Sequence, residues 1–338
     1  MQVRLLLKSI VQTVITSVIL CLVNLVIAYI LDRVGLITLP FDKKHDAHEA
    51  QIAEQLVLPE TIEDRLKDIG GLTRVKQEIE TQVLLPLKHP HLFFSSSHDI
   101  RPPRGILLHG PPGTGKTMLA RAIAAEANVP FFALTLATLE NKWHGETSKL
   151  LAATFSLARK MQPCVLFFDE IDGMIRKRSA LDSSHVYGFK TEFLMHMDGI
   201  NKSADEAIVV IGCTNCASML DPAVRRRLPQ QYRIDLPTRE ELGDILALRV
   251  RREASLTREA IDGIVAHMVD GLTGSDIVEL VRAAWALRLR QGAEKMRTRL
   301  TRRNATASDL KRWVGRIQPE HFEAVLKDKD WYREAPAK

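Results

Sequence analysis

Residues 110–117 are GPPGTGKT, a glycine-rich stretch that ends in lysine and threonine. A loop of this composition exposes backbone amides that can surround phosphate groups, helped by the N-terminus of the helix that follows it. In this pattern the lysine contacts the β- and γ-phosphates of a nucleoside triphosphate, and the threonine hydroxyl binds Mg²⁺. The sequence therefore predicts that ATP and Mg²⁺ are bound by Gly113, Thr114, Gly115, Lys116 and Thr117.

Two adjacent carboxylates follow the apolar run VLFF, at Asp169 and Glu170. Open α/β sheets bind their ligands at the carboxyl ends of buried strands, which is where this run would place both side chains. We expect Asp169 to bind Mg²⁺, directly or through water, and Glu170 to polarise the attacking water. The pair therefore indicates hydrolysis of the nucleotide and not binding alone.

Two further polar features extend the site. Asn215 ends the apolar run 207–215, from which its amide could contact the γ-phosphate or the attacking water. An asparagine at a strand end is also a common turn former. Three arginines, 225–227, stand before Leu228-Pro229, and such a run is usually a solvated charged surface. In a ring-shaped ATPase it can instead contact the γ-phosphate held by the neighbouring subunit.

The elements that must position these residues can be predicted from the same pattern. Strands alternate with helices, including a helix from Lys116 to Ala127, so the fold class is α/β with a parallel sheet covered on its faces. The remainder of the chain is helical in pattern and predicts a smaller all-α domain. The apolar runs that predict strands are 104–110, 164–170 and 207–215, and the late helices are 239–253, 257–270, 274–291 and 319–327.

Composition favours a globular protein, with 46% hydrophobic and 26% charged residues and a net charge of +6. Much of the basic excess lies in residues 295–303, where a solvated helix face and an anionic partner both remain open. The four cysteines do not form a secreted disulfide framework, and the CxxC spacing of Cys213 and Cys216 lacks the further ligands of a zinc site. Reduced, packed thiols are expected.

The segment 9–31 contains 23 residues without a charge, and a helix needs about 20 to span a bilayer. A cleaved signal peptide is the alternative, but Asp32-Arg33 follows the run where a small-residue cleavage site would be needed. We therefore predict a single-pass membrane anchor, with the ATP-binding part in the compartment that contains ATP. The predicted divisions of the chain are an anchor (1–31), a linker (32–64), a large α/β domain (65–238) and a helical lid domain (239–338).

Together these motifs resemble the AAA ATPases, over about residues 65–335. The resemblance is carried by DIGGL, GPPGTGKTMLARAIA, LFFDEID, GCTN, DPAVRRRLP and GLTGSDIVEL. The GSD and KWHGE segments are similar to the branch that contains katanin, spastin and the vacuolar-sorting ATPase. With the N-terminal apolar segment, the chain resembles the membrane-anchored translocases of that branch from end to end.

The resemblance implies a homohexamer whose nucleotide sites lie between subunits. It further implies extraction of mislocalised tail-anchored proteins from the mitochondrial outer membrane, and from peroxisomes, with no nucleic-acid partner. In such a hexamer Arg226 and Arg227 would be arginine fingers and Asn215 would be the sensor. The resemblance also implies nucleotide contacts at Asp68, Ile69, Gly70, Gly274 and Ser275, and a substrate-gripping pore loop at Lys142, Trp143 and His144.

Two departures from the family pattern are present. The family's pore loop carries two aromatic residues, whereas His144 follows Trp143 here. Gln230 and Gln231 stand where relatives often carry Lys-Arg, which removes two positive charges near the expected subunit interface.

Three other functions fit the same motifs less well. A microtubule-severing ATPase would usually carry a separate microtubule-binding domain, for which the linker leaves little room. A membrane-bound protease is disfavoured because the sequence contains no HExxH motif. A nucleotide-gated membrane scaffold would require broken catalytic motifs, and these motifs are intact.

Overall fold

The computed structural model describes residues 47–93, 103–139, 147–175, 184–202, 206–251, 256–300 and 317–332. The described residues from 51 onward form one compact unit. The predicted anchor at 9–31 and the predicted pore loop at 142–144 lie outside the described residues. Within the described part of the chain, no helix combines the length and the apolar character needed to cross a membrane.

A six-stranded sheet organises this unit, in the order β1-β3-β4-β5-β2-β6. All neighbouring strands are parallel except β1, which pairs antiparallel with β3 at one edge. The mostly parallel α/β fold predicted from the sequence is confirmed. The strands are β1 (Leu56–Val57), β2 (Gly105–His109), β3 (Phe131–Leu134), β4 (Cys164–Phe168), β5 (Ile208–Thr214) and β6 (Gln230–Arg233).

Helices connect the strands and continue after the sheet. In the first part of the described chain they are α1 (Ala47–Ala53), α2 (Thr73–Ile79), α3 (Leu85–Lys88), α4 (Pro90–Phe93), α5 (Lys116–Ala127), α6 (Leu136–Leu139), α7 (Thr147–Lys160), α8 (Ile171–Met174) and α9 (Ser184–Lys202). After β5 follow α10 (Pro222–Arg227), α11 (Arg239–Val250), α12 (Arg258–Ala266), α13 (Gly274–Leu300) and α14 (Pro319–Asp328). A π-helical segment, Glu80–Leu84, joins α2 to α3.

Both faces of the sheet are buried, because alternate residues of each strand point to opposite sides. On one face Leu107, Leu166 and Val210 pack with α7 and α9. On the other face Ile106, Leu108 and their neighbours pack with α5. This two-sided burial explains why β2, β4 and β5 are nearly continuous apolar runs.

The helical part has its own hydrophobic cluster, which includes Leu246, Ile264, Leu280 and Phe322. These residues come from α11, α12, α13 and α14, which correspond to the four late helices that the sequence predicts. The division into a large domain and a lid at residue 238 stays a prediction. Part of the predicted linker at 32–64 enters the sheet, since Leu56 and Val57 of β1 pair with β3.

Candidate nucleotide-binding site

Three adjacent strands end at one side of the sheet and present most of the predicted site. β5 lies between β4 and β2, so the segments that follow these three strands are neighbours. Asp169 follows β4, Asn215 follows β5, and the glycine-rich loop follows β2. They border a cavity of about 470 Å³. Its walls are Asp68, Ile69, Gly70, Pro112, Gly113, Thr114, Gly115, Lys116, Thr117, Met118, Asp169, Glu170, Asn215, Ile245, Arg249, Gly274, Ser275 and Val278.

Glycine is required at two positions of the phosphate loop. Gly115 has φ 91° and directly precedes α5, a left-handed conformation that side chains other than glycine rarely adopt. Gly113 has φ 74°, and an added Cβ would lie 2.8 Å from the Thr273 hydroxyl oxygen. The loop can therefore keep this shape, with the N-terminus of α5 facing the cavity, only with glycines at these positions.

Lys116 is buried against its own loop. Its Nζ donates to the carbonyl oxygens of Gly110 at 2.9 Å and Pro111 at 2.7 Å. Burial lowers the pKa of Lys116, while the nearby Asp169 carboxylate acts in the opposite direction. A phosphate would restore the solvation that this ammonium has lost, so the lysine is suited to bind an anion.

Thr117 and Asp169 meet at the centre of the cavity wall, where the Thr117 hydroxyl donates to Asp169 Oδ2 at 3.0 Å. Mg²⁺ prefers oxygen ligands and is usually held by one or two carboxylates together with substrate phosphates and water. The pair offers one hydroxyl and one carboxylate oxygen, so it fits Mg²⁺ that arrives with a nucleotide.

Glu170 has an unusual backbone conformation. Its φ is 49° and its ψ is 45°, so a residue with a side chain occupies the left-handed region. Its amide donates to Asp169 Oδ1 at 3.0 Å, which links the two carboxylates through the main chain. Such a conformation costs about 1–3 kcal/mol and is found most often where it serves a site. Here the conformation comes just after the buried strand β4, and the Glu170 side chain is exposed.

Asn215 lies at the cavity on a loop that is fixed by its neighbours. The Thr214 hydroxyl, which is buried, donates to Asp172 Oδ1 at 2.6 Å and accepts from the Cys216 amide at 3.0 Å. Asp172 belongs to α8, directly after Glu170. The hydroxyl of Thr214 therefore connects the Asn215 loop to the segment that carries the two carboxylates. Thr214 and Asp172 were not predicted as site residues.

The arginines do not line the cavity of their own chain. Arg226 is exposed on α10. Arg227 forms two hydrogen bonds to Asp198 of α9, at 2.9 and 2.8 Å. Arg225 donates to Gln231 at 3.3 Å, so Gln231 interacts with this arginine cluster. The structure thus brings together all predicted nucleotide-binding residues but not Arg226 or Arg227.

The segment 68–70 forms a second wall and packs on the helical part. A Cβ on Gly70 would lie 2.5 Å from Ile245 Cγ1 and 2.8 Å from the Ile245 amide nitrogen. The Leu72 amide donates to Glu241 Oε1 at 2.9 Å, and Glu241 also caps the start of α11. The loop before α2 is therefore fixed to α11.

The start of α13 completes the enclosure. The amide of Ser275 donates to the carbonyl oxygen of Gly113 at 3.2 Å, which joins the helix to the phosphate loop. Thr273 and Asp276 form reciprocal hydrogen bonds that cap this helix. The nucleotide-binding loop is therefore in direct contact with the helical part.

Five residues of the cavity wall were not among the predicted site residues. Met118 could have been found, because it directly follows the GKT motif. Pro112 could also have been found, because it lies inside the GPPGTGKT motif. Ile245, Arg249 and Val278 had no comparable signal in the sequence, since their positions depend on how the helical part packs.

Comparison with known proteins gives consistent results. Residues 106–236 match the family described as "ATPase family associated with various cellular activities (AAA)". A Homo sapiens protein named "Outer mitochondrial transmembrane helix translocase" is 40% identical over 248 residues, which cover 73% of this chain and 68% of that protein. A Danio rerio protein of the same name is 38% identical over 248 residues, covering 73% and 65%. The chain thus spans about two thirds of the length of these relatives.

A solved structure is also similar. The chain matches the structure titled "Crystal structure of FIGL-1 AAA domain in complex with ADP" with a TM-score of 0.63 and 32% identity. The match covers 87% of this chain and 100% of the other. That AAA domain was crystallised with a nucleotide.

Proposed function

The chain belongs to the AAA ATPase family and is an ATP-hydrolysing enzyme, and from this premise we propose that it extracts proteins from a membrane. The hydrolysis on which this proposal depends is carried by one observation, which is that the phosphate loop, Asp169, Glu170 and Asn215 meet at one cavity. The name of its relatives, outer mitochondrial transmembrane helix translocase, supports the type of work to which hydrolysis is coupled.

In the proposed reaction the amides of residues 113–116 and the Lys116 ammonium bind the phosphates of ATP. Thr117 and Asp169 hold Mg²⁺, which would neutralise charge on the phosphates. Glu170 orients and polarises the water that attacks the γ-phosphorus, and Asn215 holds that water or the γ-phosphate. Asp68, Ile69, Gly70, Gly274 and Ser275 bind the remainder of the nucleotide.

We further propose a homohexamer in which Arg226 and Arg227 act on the nucleotide of the neighbouring subunit. The position of both arginines outside their own cavity supports an action on another subunit. Arg227 would have to leave Asp198 to do so, whereas Arg226 is already exposed. Lys142, Trp143 and His144 would contact the translocated polypeptide in a central pore.

The proposed location is the mitochondrial outer membrane, with peroxisomes as a second site. Residues 1–31 would be the single-pass anchor, followed by a linker, and the ATPase domain (65–238) and lid (239–338) would face the cytosol. Tail-anchored proteins inserted in the wrong membrane are the proposed substrates. The support is the name of the relatives together with the uncharged segment 9–31.

Glu170→Gln tests the proposal, because it keeps the size of the side chain while removing the carboxylate that polarises water. We expect this variant to bind ATP normally, to lose at least about 100-fold in turnover, and to retain a tail-anchored substrate on the outer membrane. The measurements are phosphate release and co-purification of a tagged substrate. Lys116→Ala is the comparison variant, and it should lose ATP binding as well.

Two results would count against the proposal. Unchanged phosphate release in Glu170→Gln would remove this residue from the reaction. Normal clearance of the tail-anchored substrate in cells that contain only Glu170→Gln would separate ATP hydrolysis from extraction, and the ATPase would then have another task.

A further inference from the structure

Arg249 places a cationic side chain at the cavity, and no anionic partner for it lies in the part of the chain that the structure describes. It lies near the end of α11 and is exposed. Within the described ranges its one hydrogen-bond contact is from Nη2 to the thioether sulfur of Met118, at 3.7 Å. A thioether is a weak acceptor, so this contact leaves most of the five N–H donors of the guanidinium group available.

Other arginines at the ends of α11 are paired differently. Arg239 donates to Asp270 at 2.6 Å, and Arg251 forms an ion pair with Asp68 at 3.1 Å. Among the described residues, Arg249 forms no ion pair, although Arg251 lies only two positions further along the chain. Arg249 is thus the arginine of this helix whose charge is left for a ligand.

The position of Arg249 on its helix determines which part of a nucleotide it can contact. Ile245 is four residues earlier, so both side chains lie on the same face of α11. That face packs on Gly70, where Ile245 is in close contact with the segment predicted to flank the base. Met118, the hydrogen-bond partner of Arg249, follows Thr117 by one residue on α5. Asp169 and Glu170 belong to neither helix, because they follow strand β4.

We propose that Arg249 binds the nucleoside half of ATP, the ribose and base, and not the phosphates. Ribose oxygens and base nitrogens are acceptors for its N–H groups, and a planar guanidinium can also lie on the face of a base. The inference rests on the proposed use of ATP at this cavity. Since Arg249 comes from the helical part, the contact links that part to the nucleotide, equally in the ATP and ADP states.

The test compares nucleotides that share the nucleoside but differ in phosphate number. Arg249→Met removes the guanidinium group and keeps an unbranched side chain. In the full-length chain, purified in detergent, we expect the dissociation constants of AMP, ADP and ATP to rise by the same factor, about tenfold, as expected for one hydrogen bond from a charged group. The measurement is equilibrium binding by calorimetry, or by competition where AMP binds weakly.

Lys116→Ala and Arg290→Met are the comparison variants. Lys116→Ala should weaken ATP more than ADP, and ADP more than AMP, because that lysine is expected at the β- and γ-phosphates. Arg290→Met removes the same charge from an exposed position on α13, on the order of 24 Å from Gly274 along the helix. It should leave all three dissociation constants unchanged.

Three outcomes would overturn the inference. Arg249→Met could leave all three affinities unchanged, its effect could grow with phosphate number, or Arg290→Met could have the same effect. Because Arg249 is exposed, folding should be unaffected, and Arg249→Gln provides a second variant if the first unfolds at a lower temperature. If the unaltered chain bound no nucleotide, the proposed function itself would fail, so the two failures are distinguishable.

Discussion

At the scale of single residues, the site depends on side chains that do not line the cavity but form hydrogen bonds that hold the predicted residues in place. Asn215 lies at the cavity, but the hydroxyl of Thr214 holds its loop through Asp172 and the Cys216 amide. Thr214 is the last residue of β5 and is only 2% exposed, so solvent cannot replace these partners. We infer that Thr214 is a positioning residue, which acts on the nucleotide through Asn215.

Thr214→Val tests this role, since valine keeps the shape of threonine and removes the hydroxyl. Asp172 and the Cys216 amide would then each lose a partner, and the Asn215 loop would no longer be fixed. We expect kcat for ATP hydrolysis to fall about tenfold while KM for ATP changes less than about twofold, because the lost interaction acts in the transition state. Steady-state phosphate release over a range of ATP concentrations measures both constants.

Thr214→Ser is the matched control, because serine retains the hydroxyl. It should restore kcat to within about threefold of the original value. If the Ser variant is as slow as the Val variant, the hydroxyl is not sufficient to hold the Asn215 loop, and the positioning role is wrong. A rise in KM without a change in kcat would indicate a loss of nucleotide binding instead.

At the scale of elements, the short helix α10 is held to α9 by two ion pairs. Lys190 Nζ lies 2.5 Å from Asp221 Oδ2, with both side chains nearly buried. Asp221 also caps α10 by accepting from the Ala223 amide at 2.7 Å. At the other end of α10, Arg227 pairs with Asp198. A helix of six residues is too short to be stable alone, so these contacts set the direction in which Arg226 projects.

Asp221→Ala should destabilise the protein, because it removes the cap and leaves the buried Lys190 ammonium without this carboxylate. We expect the free energy of unfolding to fall by about 2–4 kcal/mol, to which the cap contributes about 1 kcal/mol. Denaturant unfolding of the full-length chain in detergent, followed by circular dichroism, measures the change.

Two substitutions separate the contributions to this result. Asp221→Asn keeps a good helix cap and loses the charge, so its cost reports the ion pair alone. Asp235→Ala removes the carboxylate of an exposed pair with Arg233, and should cost less than about 1 kcal/mol. Equal costs for Asp221→Ala and Asp235→Ala would show that burial of the first pair has no energetic importance.

At the scale of the whole molecule, the strands that carry chemistry were the predictable ones. β2, β4 and β5 are buried on both faces, so their apolar runs are unbroken and end in polar residues that the sequence displays directly. The edge strand β6 was missed because its residues are polar, with Gln230, Gln231 and Arg233 in a strand of four. The short β3 was missed because it has no chemical motif at its end.

The far wall of the cavity was less predictable for a different reason. Ile245, Arg249 and Val278 are distant in sequence from the phosphate loop, and their place depends on tertiary packing of the helical part. The left-handed conformation of Glu170 was also not predictable, since local preferences disfavour it and the surrounding fold must impose it. Sequence patterns report local periodicity and composition, whereas these features arise from contacts between remote segments.

Because the cavity is bordered by both the sheet and the helical part, nucleotide binding should stabilise them together. The segment 68–70 and the phosphate loop both contact the helical part, through Ile245 and Ser275 respectively. A ligand at 100 times its dissociation constant stabilises the folded state by about 2.7 kcal/mol. In Glu170→Gln, which should not consume ATP, we expect Mg-ATP to raise the unfolding temperature by about 5 °C.

Hydrogen exchange should locate that stabilisation in α11 and at the start of α13 as well as in the phosphate loop. Amide protons are protected when local opening becomes less favourable, so a ligand held from both sides should slow exchange on both. Glu170→Gln combined with Lys116→Ala is the control and should show neither the temperature shift nor the protection. Protection restricted to the phosphate loop, with α11 unchanged, would mean that the helical part does not hold the nucleotide, against the contacts of Ile245, Arg249 and Ser275 at the cavity.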